Sequence, residues 1–452
     1  MGTAAAAGLA SREGDGDGED EEDCEGWHNG HHRDSTGQRM FRREGDEDRE
    51  GGGSGRPCHP DGQEGVRDLN GPDVTARSGV ASSLGIVVSA DCNLRCAYCY
   101  QDLKQPRHMS WATMARALDL LTSSTRRRAD VTFLGGEPLL GYPLIVRAVR
   151  RLGRRFPAKR RPDCVIATNG LLLTPRRLEF FERHRFSIQL SFDGVAPSQD
   201  LRSPGSFAIL DRLLDRLRLQ HLAYFRRRVM VAVTVTAPAI PHLADSFDYL
   251  LAKGASDIAI GPAMGHPRLS TSQAVELDLQ FGRISRRSLR HYRETGRVPL
   301  RLFRKSAPAP RTPVSSTLAC VAAIGRDLAV DVDGEVYPCA LLIRSCQTVA
   351  RPALARRLAA MSLGPVADLQ GLLTRRANLP AAARVAGIFG PQSRKRSGLD
   401  GCATCRYASA CFVCPIACAK NPDATDANRI PDFQCAFNRI ALEYRRRFPI
   451  QR

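Results

Sequence analysis

Between Leu84 and Gly261 short apolar runs alternate with amphipathic stretches, and that alternation restricts the fold more than any other feature of the 452 residues. The runs predict strands over Leu84–Ala90, Val131–Leu134, Cys164–Thr168, Phe186–Ser191, Val229–Thr236 and Asp257–Gly261. Helices are expected between them over Trp111–Leu121, Leu144–Leu152, Pro175–His184, Phe207–Leu219 and His242–Leu251. That is six strand–helix units, the last without its helix. Buried parallel strands read as continuous Val/Ile/Leu runs, and strands separated by helices argue for a parallel α/β sheet or barrel. Enzymes built this way gather their chemistry at the C-terminal ends of the strands.

Four unusual segments fall at those ends. After the first strand comes Asp91-Cys-Asn-Leu-Arg-Cys-Ala-Tyr-Cys-Tyr100, with cysteines at 92, 96 and 99. A four-iron, four-sulfur cubane takes one thiolate per iron, so a loop supplying three leaves one iron open to a substrate or cofactor. Structural zinc fits less well, because it wants four N or S ligands and only His108 lies nearby. Unligated thiols crowded on one loop would be a liability. Gly135-Gly-Glu-Pro138 follows the second strand, where Gly135 and Gly136 let backbone approach a ligand and Pro138 fixes the turn; a tight strand-to-helix turn explains the glycines equally well. Thr168-Asn-Gly170 follows the third, where Asn169 could simply cap its turn. Ser191-Phe-Asp-Gly194 follows the fourth.

A second cysteine set begins at Cys320. Gly334 and Cys339 follow, with Asp333-Gly334 predicting the turn of a β-hairpin that Cys339 ends. Later come Cys402, Cys405, Cys411, Cys414, Cys418 and Cys435.

The ordered segments from Cys92 to Gly194 resemble those of radical S-adenosylmethionine (SAM) enzymes, and the tail resembles their C-terminal SPASM extension, found in enzymes that modify peptides and proteins. The resemblance spans roughly residues 84–440. It implies a partial (β/α)6 TIM-like barrel with a cysteine-rich SPASM domain. It also implies that Gly135, Gly136, Glu137 and Pro138 hold the amino group of SAM, with Glu137 as the anionic end, and that Tyr98 lies against the adenine. Ser191 and Asp193 become candidates for the cofactor's carboxylate or ribose, as does Arg202 for a bidentate carboxylate contact, although a surface arginine is the plainer reading of Arg202. By analogy one auxiliary cluster would use Cys402, Cys405, Cys411 and Cys435, and another Cys320, Cys339 and either Cys414 or Cys418. The tail departs from the family pattern at Pro415, where a cysteine is expected, and Cys346 is the only spare thiol near Cys339. Zinc remains the alternative for these paired cysteines.

Charge divides the chain. Residues 1–80 carry 19 acidic against 9 basic residues, whereas residues 81–452 carry 57 basic against 28 acidic, a net of +29. Such a field draws acidic partners, here expected to include an electron donor such as flavodoxin or ferredoxin. The Gly/Asp/Glu-rich head has too little apolar patterning to fold and is expected to be disordered. No membrane span or signal peptide is visible, which points to the cytoplasm and makes metal ligation a better account of the cysteines than disulfides. The expected division is a head over 1–80, the barrel over 81–265, a linker or helical region over 266–319, the cysteine-rich domain over 320–440 and a basic end over 441–452.

The function expected is reductive cleavage of SAM to a 5′-deoxyadenosyl radical that abstracts hydrogen from a peptide or protein side chain. Formylglycine formation of the anaerobic sulfatase-maturase type is the alternative within that class. A non-enzymatic iron–sulfur or zinc protein with a basic nucleic-acid-binding surface is the alternative outside it. Aromatics are 6% of the chain, fewer than a stacking surface for nucleic acid would want.

Overall fold

Six parallel strands form the frame: β1 (Ser83–Ser89), β2 (Asp130–Gly135), β3 (Asp163–Thr168), β4 (Ser187–Ser191), β5 (Val229–Val235) and β6 (Ile258–Pro262). In this computed structural model the described residues are 81–101, 103–122, 129–264, 268–304, 327–347, 356, 359–386, 396–397, 402–407, 410–411, 413–414, 416, 420 and 429–450. The expected disorder of residues 1–80 and the expectations for Cys320 and Cys418 lie outside them.

The strands pair in sequence order, each parallel to the next, with Ile86 opposite Phe133 and Phe133 opposite Ile166. Helices α1 (Trp111–Asp119), α2 (Tyr142–Arg155), α3 (Pro175–Arg183), α4 (Ala196–Asp200), α5 (Phe207–Gln220), α6 (Leu222–Arg228) and α7 (Leu243–Ala252) fill the crossovers. Local chemistry starts them where it should. Ser110 caps α1 by accepting from the Thr113 amide, and Thr174 caps α3 just before Pro175. The core lies between strands and helices, where Phe133, Phe181, Phe186 and Phe192 are fully buried. Phe133 stacks on Phe186 at 5.8 Å between centroids. Each such ring contributes roughly 2–3 kcal/mol of burial.

Two elements lie beyond the six-unit pattern. Helix α8 (Thr271–Thr295), inside the stretch expected to be linker or helical, opens on a capping box between Ser270 and Gln273 and ends at Gly296 in the left-handed region. The tail hairpin also forms, as β7 (Leu328–Val330) antiparallel to β8 (Val336–Tyr337), with Gly334 at φ 89° in its turn. It does not stand apart: β7 pairs in parallel with β1, Ile86 opposite Val330, giving one sheet in the order β6-β5-β4-β3-β2-β1-β7-β8. Helices α9 (Leu369–Ala386) and α10 (Asp432–Arg447) complete the described tail, together with the short parallel pair β9 (Arg396–Ser397) and β10 (Arg429–Ile430). Phe281 of α8 meets Phe437 of α10 edge-on at 5.4 Å, which ties the tail to the barrel's last helix. Among the described residues no helix is long and apolar enough to cross a membrane.

Candidate functional site

The cysteine loop leaves β1 at Ser89 and is tied off before it can wander. The amide of Ala90 donates to Arg107 O at 2.9 Å, Met109 N to Val88 O at 2.9 Å, and Ser89 forms a bridge with His108. Within this closed loop Asp91 Oδ1 accepts from the Cys92 amide at 2.7 Å, and Cys92 Sγ accepts from the Leu94 amide at 3.4 Å. Cys92 is buried while Cys96 and Cys99 are half-buried.

Gly135 and Gly136 face this loop, and the structure gives a reason for them that differs from the expected one. A Cβ on Gly135 would lie 2.3 Å from Ser89 O, and one on Gly136 would lie 2.3 Å from Asp91 O and 2.8 Å from Cys92 Cβ. Gly136 N donates to Ser89 O at 2.9 Å and Glu137 N to Asp91 O at 2.8 Å. The glycines therefore let the end of β2 press against the backbone of the cysteine loop itself.

Glu137 also departs from expectation. It is 0% exposed, so its carboxylate is not presented as an open anionic end. Its Oε1 accepts from Leu139 N at 3.0 Å and Thr168 Oγ1 at 2.7 Å, and its Oε2 from Asn169 N at 2.8 Å. Burial pushes this carboxyl up despite those bonds. Glu137 thus caps the 3-10 turn Pro138–Gly141, where Pro138 is buried, and ties the end of β2 to the end of β3. Asn169 goes beyond capping. Its Oδ1 accepts from Leu171 N at 3.0 Å, while its amide nitrogen donates to Asn93 Oδ1 at 2.8 Å and lies 3.9 Å from Cys92 Sγ.

On the next strand end, Asp193 and Arg202 are partnered with each other. Arg202 Nε and Nη2 donate to the two Asp193 oxygens at 3.1 and 2.8 Å, and the side chains are 9% and 1% exposed. Asp193 also accepts from Thr234 N at 2.8 Å and from the Tyr98 hydroxyl. A carboxylate so engaged is not free for a ribose, and Arg202 is not a surface residue; two charges taken out of water must find each other. Arg202 Nη1 makes no hydrogen bond to a described residue, and the guanidinium lies 5.3 Å from the Tyr98 ring centroid. Ser191 ends β4 half-buried, with no side-chain hydrogen bond among the described residues. Tyr98, expected against adenine, spans from the cysteine loop to Asp193. Burial raises its hydroxyl pKa.

The donor set fits a cubane. Burial pushes the Cys92 and Cys96 thiols up, while Lys104 acts in the opposite direction on both and Arg202 on Cys96. Cations beside clustered thiols favour the thiolates that iron requires. Among the described residues no three His, Cys, Asp or Glu side chains converge on a single ion. A cubane is held differently, by thiolates that surround it with one sulfur on each of separate irons.

Sequence reasoning missed several supporting residues. Gln101, 6% exposed, donates from Nε2 to Gly135 O at 3.0 Å, and Gln199 Oε1 accepts from Asp193 N at 3.0 Å. Gln199, on α4 three residues before the singled-out Arg202, offered a clue by proximity; Gln101 offered none.

The tail reaches the same loop. Lys420 Nζ donates to Tyr100 O at 2.6 Å and Leu103 N to Ser345 O at 3.2 Å. Cys402, Cys411 and Cys435 pack against the buried pair Val413 and Ile430, Cys405 N donates to Cys402 O at 3.3 Å, and Asn438 Nδ2 donates to Cys411 Sγ at 3.4 Å. Cys339 and Cys414 instead lie against the main core. Cys346 is fully buried, its thiol directed at Ala340 O at 3.6 Å and pushed up to about 12 by burial.

Comparison with known proteins agrees with this rim. The chain is 26% identical over 354 residues to the serine-type anaerobic sulfatase-maturating enzyme of Klebsiella aerogenes, covering 75% of this chain and 80% of that one. It is 28% identical over 174 residues to an uncharacterised protein of Methanocaldococcus jannaschii, covering 38% of this chain and 59% of that one. The solved structure of native anSMEcpe with bound AdoMet and Kp18Cys peptide shares the fold, with a TM-score of 0.57, 18% identity, and coverage of 80% of this chain and 96% of that one. Residues 86–245 match the radical SAM superfamily, a span that runs from β1 into α7 and carries all four strand-end segments. Residues 86–245 thus carry a radical SAM domain, the domain of a superfamily whose cofactors are a four-iron, four-sulfur cluster and SAM.

Proposed function

We propose that the protein modifies a peptide or protein side chain by hydrogen abstraction. The observation that carries this reading is the three-cysteine loop, tied to the Gly135–Glu137 segment on one side and touched by the cysteine-rich tail on the other. Cys92, Cys96 and Cys99 would hold the cluster. Bound there, cluster and SAM supply one-electron cleavage to methionine and a 5′-deoxyadenosyl radical, which takes a hydrogen atom from the substrate. Asn169 holds the Cys92 side of the loop, and the Asp193–Arg202 pair holds Tyr98 across the site. Among the described residues Ser191 Oγ, Arg202 Nη1 and the buried Gln101 Oε1 are polar groups at this rim left for the cofactor. The contacts from Lys420 to Tyr100 and from Leu103 to Ser345 tie the tail to the loop.

In the tail, Cys402, Cys405, Cys411 and Cys435 form one ligand set, and Cys339 with Cys414 contributes to a second. Auxiliary clusters there would accept the electron left after hydrogen abstraction. The initial electron comes from a reduced acidic protein such as flavodoxin or ferredoxin, drawn by the +29 charge of residues 81–452. A reduction rate insensitive to ionic strength would remove that donor class. The long alignment with the Klebsiella maturase favours, as a second reading, oxidation of a Cys or Ser side chain.

The test is anaerobic reconstitution beside a C92A/C96A/C99A variant. About 12 iron per chain falling to about 8, with 5′-deoxyadenosine formed only by the unmodified protein, is the expected result. Unchanged iron in the variant would overturn the assignment, and zinc in the tail would remove its auxiliary clusters.

A further inference from the structure

Helix α2 carries arginines at 147, 150, 151, 154 and 155, which is one face at successive three- and four-residue steps, while Ile145, Ala148 and Leu152 bury the opposite face. With Trp111 of α1 these arginines line a groove of about 570 Å³. Arg147 lies 4.3 Å from the Trp111 ring centroid. One carboxylate, Asp119, pairs with two of the lining arginines: Arg151 Nη2 donates to its two oxygens at 2.7 and 3.0 Å, and Arg155 Nη1 lies 3.5 Å away, the Arg155 guanidinium also donating to the carbonyls of Leu118, Asp119 and Leu121. Arg150 and Arg154 are exposed and have no acidic partner among the described residues.

A solvated helix face is the ordinary explanation of a charge run, but it fits this one poorly. Three like-charged pairs four residues apart each cost the helix about 0.2–0.5 kcal/mol, and one aspartate offsets only part of that. Asp119 shows which chemistry the groove accepts, a carboxylate held between guanidinium forks. The stripe from Arg147 to Arg155 is about 12 Å long, room for about four residues of extended chain. Location narrows the partner. Helix α2 starts beside the Glu137 turn and runs away from it, so Arg155 lies about 20 Å along the axis from Tyr142. An electron donor needs proximity to the cluster, whereas a recognition segment of a substrate works at a distance from the reacting residue.

We propose that this groove seats an acidic segment of the peptide substrate, three to four Asp or Glu residues remote from the residue modified. The proposal rests on the peptide-modifying reading above. It is tested on the full chain by fluorescence anisotropy with a labelled peptide containing four consecutive glutamates, its glutamine counterpart, and a labelled oligothymidylate. The glutamate peptide should bind, weaken as salt rises above about 0.15 M, and lose at least about tenfold in affinity in R150E/R154E. The glutamine peptide should not bind, and R212E, a single reversal on the exposed face of α5, should leave affinity unchanged. Equal loss in R212E would reduce the effect to net charge and overturn the proposal. So would unchanged binding in R150E/R154E, or tighter binding of the oligothymidylate through the same arginines, which would assign the groove to nucleic acid. Formation of 5′-deoxyadenosine by the unmodified protein is measured in parallel, so that failure of the radical chemistry and failure of the groove are read separately.

Discussion

Replacing Asp193 by Asn separates the two roles open to this residue. In the folded protein Asp193 is the counter-charge of a guanidinium whose side chain is 9% exposed, and it accepts from Arg202 Nε, Arg202 Nη2, Thr234 N and the Tyr98 hydroxyl. Asparagine keeps one oxygen, which can still serve Thr234 N and one Arg202 nitrogen. Its amide then faces the remaining Arg202 donor, donor against donor, while the Tyr98 hydroxyl can turn to accept from it. Removing one partner of a buried pair costs about 3–5 kcal/mol, because the other charge stays buried without compensation. That is a large share of the roughly 5–15 kcal/mol by which folded proteins exceed their unfolded chains. Urea denaturation of the SAM-free protein should therefore show the loss. The double variant D193L/R202M removes both charges and should recover most of it, since apolar replacement of a whole buried pair is near neutral. A D193N protein within about 1 kcal/mol of the unmodified protein, with weakened SAM binding as its only defect, would refute this reasoning and restore Asp193 to the cofactor.

Three other expectations follow from the same contacts. G136A places a Cβ 2.3 Å from Asp91 O and should displace the cysteine loop, destabilising by about 1–3 kcal/mol and lowering reconstituted iron by about a third; full iron content would contradict the close approach. K253M breaks the pairs that Lys253 makes with Asp211 and Asp215 between α7 and α5, at 2.6 and 2.8 Å, and should cost about 0.5–1 kcal/mol at neutral pH. The hydrogen bond from Lys253 holds the Asp211 pKa below 3.8, so that contribution is present above 3.8 and fades as pH falls through the folded value. The two proteins should accordingly converge in stability in acid, and a gap that widened there would reverse the sign.

The barrel was readable because its strands are continuous apolar runs: Gly85–Val88 and Val229–Val235 admit little but a buried strand, and each motif followed one. Helix α8 was readable in principle from Leu277, Phe281, Ile284 and Ser288, a buried stripe at helical spacing. Strands β7 and β8, three and two residues long, have no period to detect, and their place beside β1 is decided by pairing across the chain. The site was legible in its cysteines and less so in its polar residues. Cysteine spacing encodes a ligand set directly, whereas Glu137, Asp193 and Arg202 are residue types that suit a ligand and a protein partner alike. Only the fold reveals that Thr168 and Asn169 reach Glu137 first, and that Asp193 meets Arg202.

The pairing of β7 with β1 sets an order of events during synthesis. Strand β1, which launches the cysteine loop, has β2 as one neighbour some 47 residues on, Leu84 opposite Val131, but its other neighbour begins with Leu328 opposite the same Leu84. At roughly 5–20 residues per second, the ribosome takes roughly 12–50 s to deliver that second partner after β1 has emerged. Until then one edge of β1 stays unpaired, and the tail contacts that reach the cysteine loop do not yet exist. The three cysteines of the loop thus lie on a strand end with one unpaired edge for much of translation, and Ser345 and Lys420 reach that loop only afterwards.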